Sequence, residues 1–274
     1  MNARAMLAIV RKDLKVVSQN KGVIIPIILL PLILFVILPW IVTLMPLLGD
    51  SFGITPDNLN KIQGLISRLP EGLRHSLAGY DQYQIIVVYF LVYMMAPLFL
   101  IIPLMVSSVI AADSFAGEKE RKTMEALLYT PTTDRELFIA KLLSGWIAAV
   151  VVALVSFVLY IVIANAAAWS QLHHIFFPNT MWLVLILWVT PALSGLGLGV
   201  MVLVSARAQG FQDANQMGGI VVVLVIFLFY GQLSGVITFS VTLVFLFGLV
   251  IWLLDGVLIW LSSRSFHRGR LLGA

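Results

Sequence analysis

Six long apolar runs, almost free of charged residues, limit what this chain can fold into more than any other feature. A bilayer core of about 30 Å is crossed by roughly 20 helical residues, and every run is long enough to cross it. We therefore predict an all-α polytopic membrane protein with six transmembrane helices. The predicted helices lie near residues 22–48, 84–112, 138–163, 180–205, 215–237 and 241–263.

Composition excludes a soluble globular protein. Hydrophobic residues make up 61% of the 274 residues and charged residues only 11%, and the mean hydropathy is +1.03. These values are typical of membrane proteins. The whole chain, 1–274, is predicted to be one transmembrane domain. It has no cysteine, which excludes disulfides and thiolate metal sites.

Residues 1–21 are predicted to form an amphipathic helix in the membrane interface. Bases and apolar residues alternate there at helical spacing, a pattern that a cleavable signal peptide does not show. We expect the apolar side to face lipid and the bases to face anionic headgroups; the alternative is a solvated tail. The bases are Arg4, Arg11, Lys12, Lys15 and Lys21, and the apolar residues are Met6, Leu7, Ile9, Val10, Leu14 and Val17.

The distribution of the bases predicts the orientation. Fourteen Lys and Arg residues fall on the side that holds both termini, and only Lys61, Arg68 and Arg74 fall on the other side. Because loops rich in bases stay in the cytoplasm, both termini are predicted to be cytoplasmic, in the inner membrane. The loop at 49–82 is then external, and its helical spacing predicts one or two amphipathic helices that either cap the protein or gate it.

The longest polar interruption, residues 113–141, carries eleven of the thirty charged residues. Its apolar residues recur with helical spacing and predict a short amphipathic helix that ends before Pro131. Thr133, with Glu136 three residues later, predicts a capping box at the start of the next helix. A charged segment of this kind between two spans is either a docking surface or a solvated loop.

The run Gly-Glu-Lys-Glu-Arg-Lys-Thr-Met-Glu-Ala-Leu-Leu at 117–128, followed by a proline turn and a Lys in the next span, resembles ABC-2-type (type V) exporter permeases. The resemblance implies that residues 113–130 form a coupling helix that rests on a cytoplasmic ATP-binding cassette (ABC) ATPase. It also implies two permease chains per transporter, with ATP and Mg²⁺ bound by the ATPase subunits. The residues then expected to contact the ATPase are Phe115, Gly117, Glu118, Glu120, Arg121 and Glu125.

Four aromatic residues and one acid inside the predicted helices are candidates for a substrate path. Aromatic rows in membrane helices are more often packing or interfacial residues. An acid well inside a span is costly, so it marks either a cation or substrate contact or a pairing between helices. The candidates are Tyr89, Tyr93, Phe227, Tyr230 and Asp255.

The sequence contains no Walker A loop, so the chain is predicted to have no catalytic residues and not to be an enzyme. The alternative function is an ion- or proton-coupled secondary transporter, which usually needs several ionisable residues at the midplane and an internal repeat. Here there is one such carboxylate and no repeat. The adjacent His173 and His174 do not indicate a metal site. Membrane lipids are expected as partners, and nucleic acid is not.

Overall fold

The computed structural model describes residues 3–48, 77, 79–121 and 133–265. Within these residues the chain is helical and contains no strand. Six of the described helices are long and apolar enough to cross a membrane, so the predicted all-α fold with six spans is confirmed. The helices are α1 (Ala3–Gln19), α2 (Lys21–Leu32, Ile33–Ile37 and Leu38–Leu48), α3 (Gln82–Glu120), α4 (Asp134–Leu172), α5 (Thr180–Ser205), α6 (Phe211–Leu233) and α7 (Val241–Ser265).

The second and third spans are longer than the sequence predicts. α3 does not end near residue 112 but continues as helix to Glu120, and α4 extends to Leu172. Asp113 and Glu118, which lie in the polar stretch after the predicted span, are buried and paired with other side chains. Since their charges are compensated inside the protein, the helix can continue past them.

The capping box predicted at the start of α4 is confirmed. The Glu136 N–H donates to the Thr133 hydroxyl at 3.3 Å, and the Thr133 N–H donates to the Glu136 carboxylate at 3.0 Å. Residues 122–130 of the predicted coupling helix and residues 49–76 of the predicted external loop lie outside the described residues.

α5 is the central helix of the described bundle, and its glycines let two neighbours approach. On one face, a methyl group at Gly197 would lie 2.9 Å from the Leu104 carbonyl oxygen of α3. On the other face, a methyl group at Gly195 would lie 2.6 Å from a side chain of α7, and a methyl group at Gly199 would lie 3.0 Å from another. Small residues at such positions allow helices to pack closely in membranes. α5 is therefore held between α3 and α7.

Three of the spans widen by one π-helical turn just before a proline. A proline has no N–H, and its ring clashes with a carbonyl one turn earlier in an α-helix. The wider turn relieves this clash without ending the helix. The turns are Ile33–Ile37 before Pro39, Tyr89–Met94 before Pro97 and Leu185–Val189 before Pro191.

Two aromatic side chains complete the hydrogen bonding of the widened turn in α3. In the π-helical register the N–H of residue 97 would donate to the Val92 carbonyl, but this residue is proline. The Trp182 indole of α5 donates to that carbonyl instead, at 2.7 Å, and the Tyr160 hydroxyl of α4 donates to the Leu91 carbonyl at 2.5 Å. Because a bilayer core offers no water to a carbonyl, these bonds fix α4 and α5 on α3.

α1 packs on the protein along one side. Val10, Asp13 and Val17 are buried, and the helix lies against α4, while Leu7 stays exposed. The expectation that the apolar side of α1 faces lipid is therefore wrong for the buried stripe. Asp13 lies in that stripe, and its ion pair with Lys12 belongs to the site described below.

Replacing Trp182 with phenylalanine should destabilise the protein by about 1–3 kcal/mol, because the Val92 carbonyl would lose its indole donor inside the membrane core. The measurement is the temperature at which half of the detergent-purified protein aggregates, followed by size-exclusion chromatography. Trp40, which is 44% exposed, offers the matched control Trp40→Phe with little expected effect. Equal losses in the two variants would contradict the role assigned to the indole.

Candidate coupling site at the charged end of the bundle

Charged residues from three helices meet at one end of the bundle, here named the charged end. Glu118, near the end of α3, is at the centre. One of its carboxylate oxygens accepts a hydrogen bond from the Lys12 ammonium of α1 at 2.6 Å, and the other accepts one from the Lys141 ammonium of α4 at 2.6 Å. These three side chains, named the Glu118 clamp, join α1 to the end of α3 and the start of α4.

Lys141 is the most enclosed member of the Glu118 clamp, with a side-chain exposure of 0%. Its ammonium also donates to the Ser114 carbonyl oxygen at 2.8 Å and lies 5.5 Å from the centre of the Phe115 ring. Removing an ammonium from water costs several kcal/mol unless its charge and its donors are satisfied. Glu118, Ser114 and the ring face supply these partners.

Lys12 is half exposed and forms a second ion pair, with Asp13, at 3.1 Å. Burial alone would lower the pKa of the Lys12 ammonium, but the hydrogen bonds and charges of Glu118 and Asp13 outweigh it and raise the pKa above its ordinary value. Lys12 is therefore charged at neutral pH. Asp13 also accepts a hydrogen bond from the Ser144 hydroxyl of α4, at 3.4 Å.

A second acid holds the turn that leads to Glu118. The Asp113 carboxylate accepts hydrogen bonds from the Arg121 guanidinium and the Asn20 amide, each at 3.1 Å. Asp113–Gly117 form a π-helical turn in α3 that is not followed by a proline. Such turns are frequent at functional sites. Gly117 closes the turn: a methyl group there would lie 3.1 Å from the Asp113 carboxylate and 3.3 Å from the Arg121 guanidinium.

The last turn of α3 contacts the loop between α5 and α6. The Glu120 carboxylate accepts a hydrogen bond from the Phe211 N–H at 2.9 Å, and the Lys119 ammonium donates to the Ala208 carbonyl at 3.3 Å. Gly210 leaves room for the carboxylate, which would lie 2.6 Å from a methyl group at that position. The end of α3 is thereby tied to the start of α6 as well as to α1 and α4.

The residues predicted to contact an ATPase fall into two groups. The turn at 119–121 is exposed, and the residues that precede it are enclosed by the protein. Glu118 in particular already has both carboxylate oxygens engaged within this chain. The buried residues are Phe115, Gly117 and Glu118, the exposed ones are Glu120 and Arg121, and Glu125 lies outside the described residues.

Sequence reasoning missed the partners of Glu118. From the sequence, Lys12 is expected to face anionic headgroups and Lys141 to be a cytoplasmic base and the Lys of the family pattern, without a partner for either. One signal was available: Lys141 lies inside the apolar run 138–163, and a base at such a position needs an acid nearby. The sequence offers several acids, so only the fold identifies Glu118.

The residues predicted to line a substrate path do not share one environment. Tyr89 and Tyr93 lie on α3, half-buried and buried, with ring centres 6.0 Å apart. Phe227 and Tyr230 are 68% and 63% exposed on α6. Asp255 is buried in α7 against α5.

The charged end lies within the part of the chain that a known family covers. The sequence model described as ABC-2 family transporter protein matches residues 7–258. The chain belongs to this family. This ABC-2 protein is thus a membrane permease component of an ABC transporter, and membership implies pairing with an ABC ATPase subunit. No curated protein and no solved structure matches it significantly.

Replacing Glu118 with leucine should destabilise the protein by about 3–5 kcal/mol, because Lys141 would stay buried without its counter-charge. The double variant Glu118→Leu/Lys141→Leu should recover most of this loss, since a buried ion pair can often be replaced by apolar residues at little cost. Thermal midpoints of the detergent-purified proteins measure both effects.

The matched control is Glu120→Leu, which removes an exposed acid two residues away and should cost at most about 1 kcal/mol. A double variant no more stable than Glu118→Leu would show that the ion pair does not hold the charged end together.

Proposed function

We propose that this ABC-2 protein is the permease subunit of an exporter, which moves a substrate out of the cytoplasm with ATP hydrolysed by a separate ATPase subunit. The observation that carries the proposal is the Glu118 clamp, which lies directly beneath the exposed turn at 119–121. A docking surface has to be exposed, and the residues beneath it have to be held in place. The charged end has both features, because the turn at 119–121 is exposed and Glu118 beneath it is paired on both sides.

Under this proposal the ATPase contacts the turn at 119–121 and the residues that follow it, with Glu125 among them. Clustered charges of both signs at such a surface provide orientation and specificity more than affinity. Phe115, Gly117 and Glu118 then act as supports, because they hold the turn from inside. ATP and Mg²⁺ are bound by the ATPase subunit.

Force on the exposed turn reaches the membrane through α3. This helix runs from Gln82 to Glu120 and is about 58 Å long at 1.5 Å per residue. Because Glu118 is paired with α1 and α4, a displacement at the end of α3 carries those helices with it. ATP-driven closure of two ATPase subunits would then move the spans as rigid bodies.

The proposed orientation places the charged end and both termini in the cytoplasm, in the inner membrane. Fourteen bases on that side against three on the other support it. ATP is available in that compartment, so an ATPase can dock only there.

A second permease chain is proposed to pack on α6. This helix exposes Ile220, Phe227 and Tyr230, which are 63–70% accessible, and aromatic residues of this kind are enriched where proteins associate. Between two chains, Phe227 and Tyr230 would line the substrate path, with Tyr89 and Tyr93 behind them. Lipids would cover the remaining apolar faces.

An ion- or proton-coupled secondary transporter is the second candidate, and the buried acid Asp255 favours it. The two functions differ in their energy source. Transport by the purified chain alone in vesicles, driven by an ion gradient, would support the secondary transporter. A strict requirement for the ATPase and ATP supports the exporter.

A photo-crosslinking residue, benzoylphenylalanine, placed at Glu120 in the host cell should join this chain to an ABC ATPase. The exposed turn is where the partner is proposed to dock, so the crosslinked product should contain peptides with Walker A and Walker B motifs, identified by mass spectrometry.

The matched control carries the crosslinker at Tyr83, which is 42% exposed at the opposite end of α3. It should give no ATPase product. Crosslinks from position 120 that contain no ABC ATPase, or equal yields from both positions, would refute the docking proposal.

A further inference from the structure

Asp255 is an acid within α7, and the proposed exporter mechanism assigns no role to it. Asp255 is 2% exposed, and neither of its carboxylate oxygens has a hydrogen-bond partner among the described residues. The buried acids at the charged end differ, because Asp13, Asp113 and Glu118 each accept at least one hydrogen bond from a described side chain. Asp255 therefore is not part of an ion-paired scaffold.

The fold makes a specific space for this carboxyl group. A methyl group at Gly195 of α5 would lie 2.6 Å from one carboxylate oxygen, so only glycine leaves room for Asp255 there. One turn further along, Gly199 receives the Leu258 side chain in the same way. We name this contact between α5 and α7 the glycine seam.

Among the residues that the structure describes, no compensating charge faces the glycine seam. α5, the helix that packs on α7, has no charged or titratable side chain from Thr180 to Ser205. Within α7, the other charged residue is Arg264, nine positions towards the helix end. Gly195 and Asp255 each lie ten residues from the end of their helices, or about 15 Å, close to the middle of a bilayer core of about 30 Å.

An ionised carboxylate without partners at this depth is too costly to persist, whereas a neutral carboxylic acid is tolerated. The geometry thus requires that Asp255 carries a proton while the glycine seam is closed. Opening the seam admits water, which solvates the carboxylate and accepts the proton.

We propose that Asp255 is a proton-binding site that holds its proton when the glycine seam is closed and releases it when α5 and α7 separate. Because binding and conformation are linked reciprocally, protonation stabilises the closed seam and a high pH favours the open one. The site acts in this chain whichever ATPase or substrate it serves, so its test needs neither of them.

Infrared spectroscopy tests the protonation directly. At neutral pH the wild-type protein in lipid nanodiscs should show the carbonyl stretch of a protonated carboxyl group, and Asp255→Asn should lack it. Gly195→Ala should weaken or shift the same band, because the added methyl displaces the carboxyl group. Gly256→Ala, whose methyl would meet open space on the same helix, should leave it unchanged. If Asp255→Asn does not fold, the comparison of Gly195→Ala with Gly256→Ala still tests whether the band belongs to Asp255.

Cysteine accessibility tests the opening, since the chain has no cysteine of its own. In Leu258→Cys the thiol lies in the glycine seam, and its labelling by a water-soluble maleimide should rise with pH. The same cysteine in Asp255→Asn corrects for the pH dependence of the thiolate. The ratio of the two rates should increase by up to tenfold per pH unit as Asp255 ionises.

Two results would overturn the proposal. One is an infrared spectrum in which the wild type and Asp255→Asn do not differ at neutral pH and Gly195→Ala has no effect. The other is a labelling ratio that stays constant with pH. Neither result would touch the docking of an ATPase at residues 119–121, because neither experiment depends on it.

Discussion

The two hydrogen-bonded ion pairs of Glu118 are the interaction on which the charged end depends. Glu118, Lys12 and Lys141 come from three helices, and Lys141 has no access to water. A buried ammonium is stable only next to a carboxylate, so Lys141 of α4 and Glu118 of α3 have to stay together. The end of α3 and the start of α4 therefore hold each other in place. The same pairing lets α3 remain helical to Glu120, beyond the predicted end of the span at residue 112, and gives α1 a buried side.

A different constraint acts where α3, α4 and α5 meet deeper in the bundle, because every backbone group there has to find a hydrogen-bond partner within the protein. The proline at residue 97 leaves the Val92 carbonyl without a donor, and the Trp182 indole replaces it. Tyr160 ties α4 to the same turn. α3 is thus attached to α4 at two levels, by ion pairs at the charged end and by side-chain hydrogen bonds within the membrane, and motion at one level reaches the other.

The parts of this fold that could be predicted are those encoded by neighbouring residues. The six spans follow from apolar runs, and the Thr133 cap follows from a four-residue pattern. The Glu118 clamp could not be predicted, because Lys12 and Glu118 are 106 residues apart and nothing local selects one acid among several. For the same reason the sequence marked Asp255 as unusual but did not identify Gly195 as the residue that receives it.

The two faces of α5 differ in the kind of atoms that they contact. At Gly197 the nearest backbone atom of α3 would lie 2.9 Å from an added methyl, so the two backbones are in contact. At Gly195 and Gly199 the nearest atoms belong to side chains of α7, namely the Asp255 carboxyl group and the Leu258 side chain from its Cβ outward. The α5–α3 contact at Gly197 contains no ionisable group, whereas the α5–α7 contact encloses a carboxyl group that water solvates well. Under the proposal for Asp255, this solvation offsets part of the cost of opening the glycine seam, and the Gly197 contact has no comparable gain.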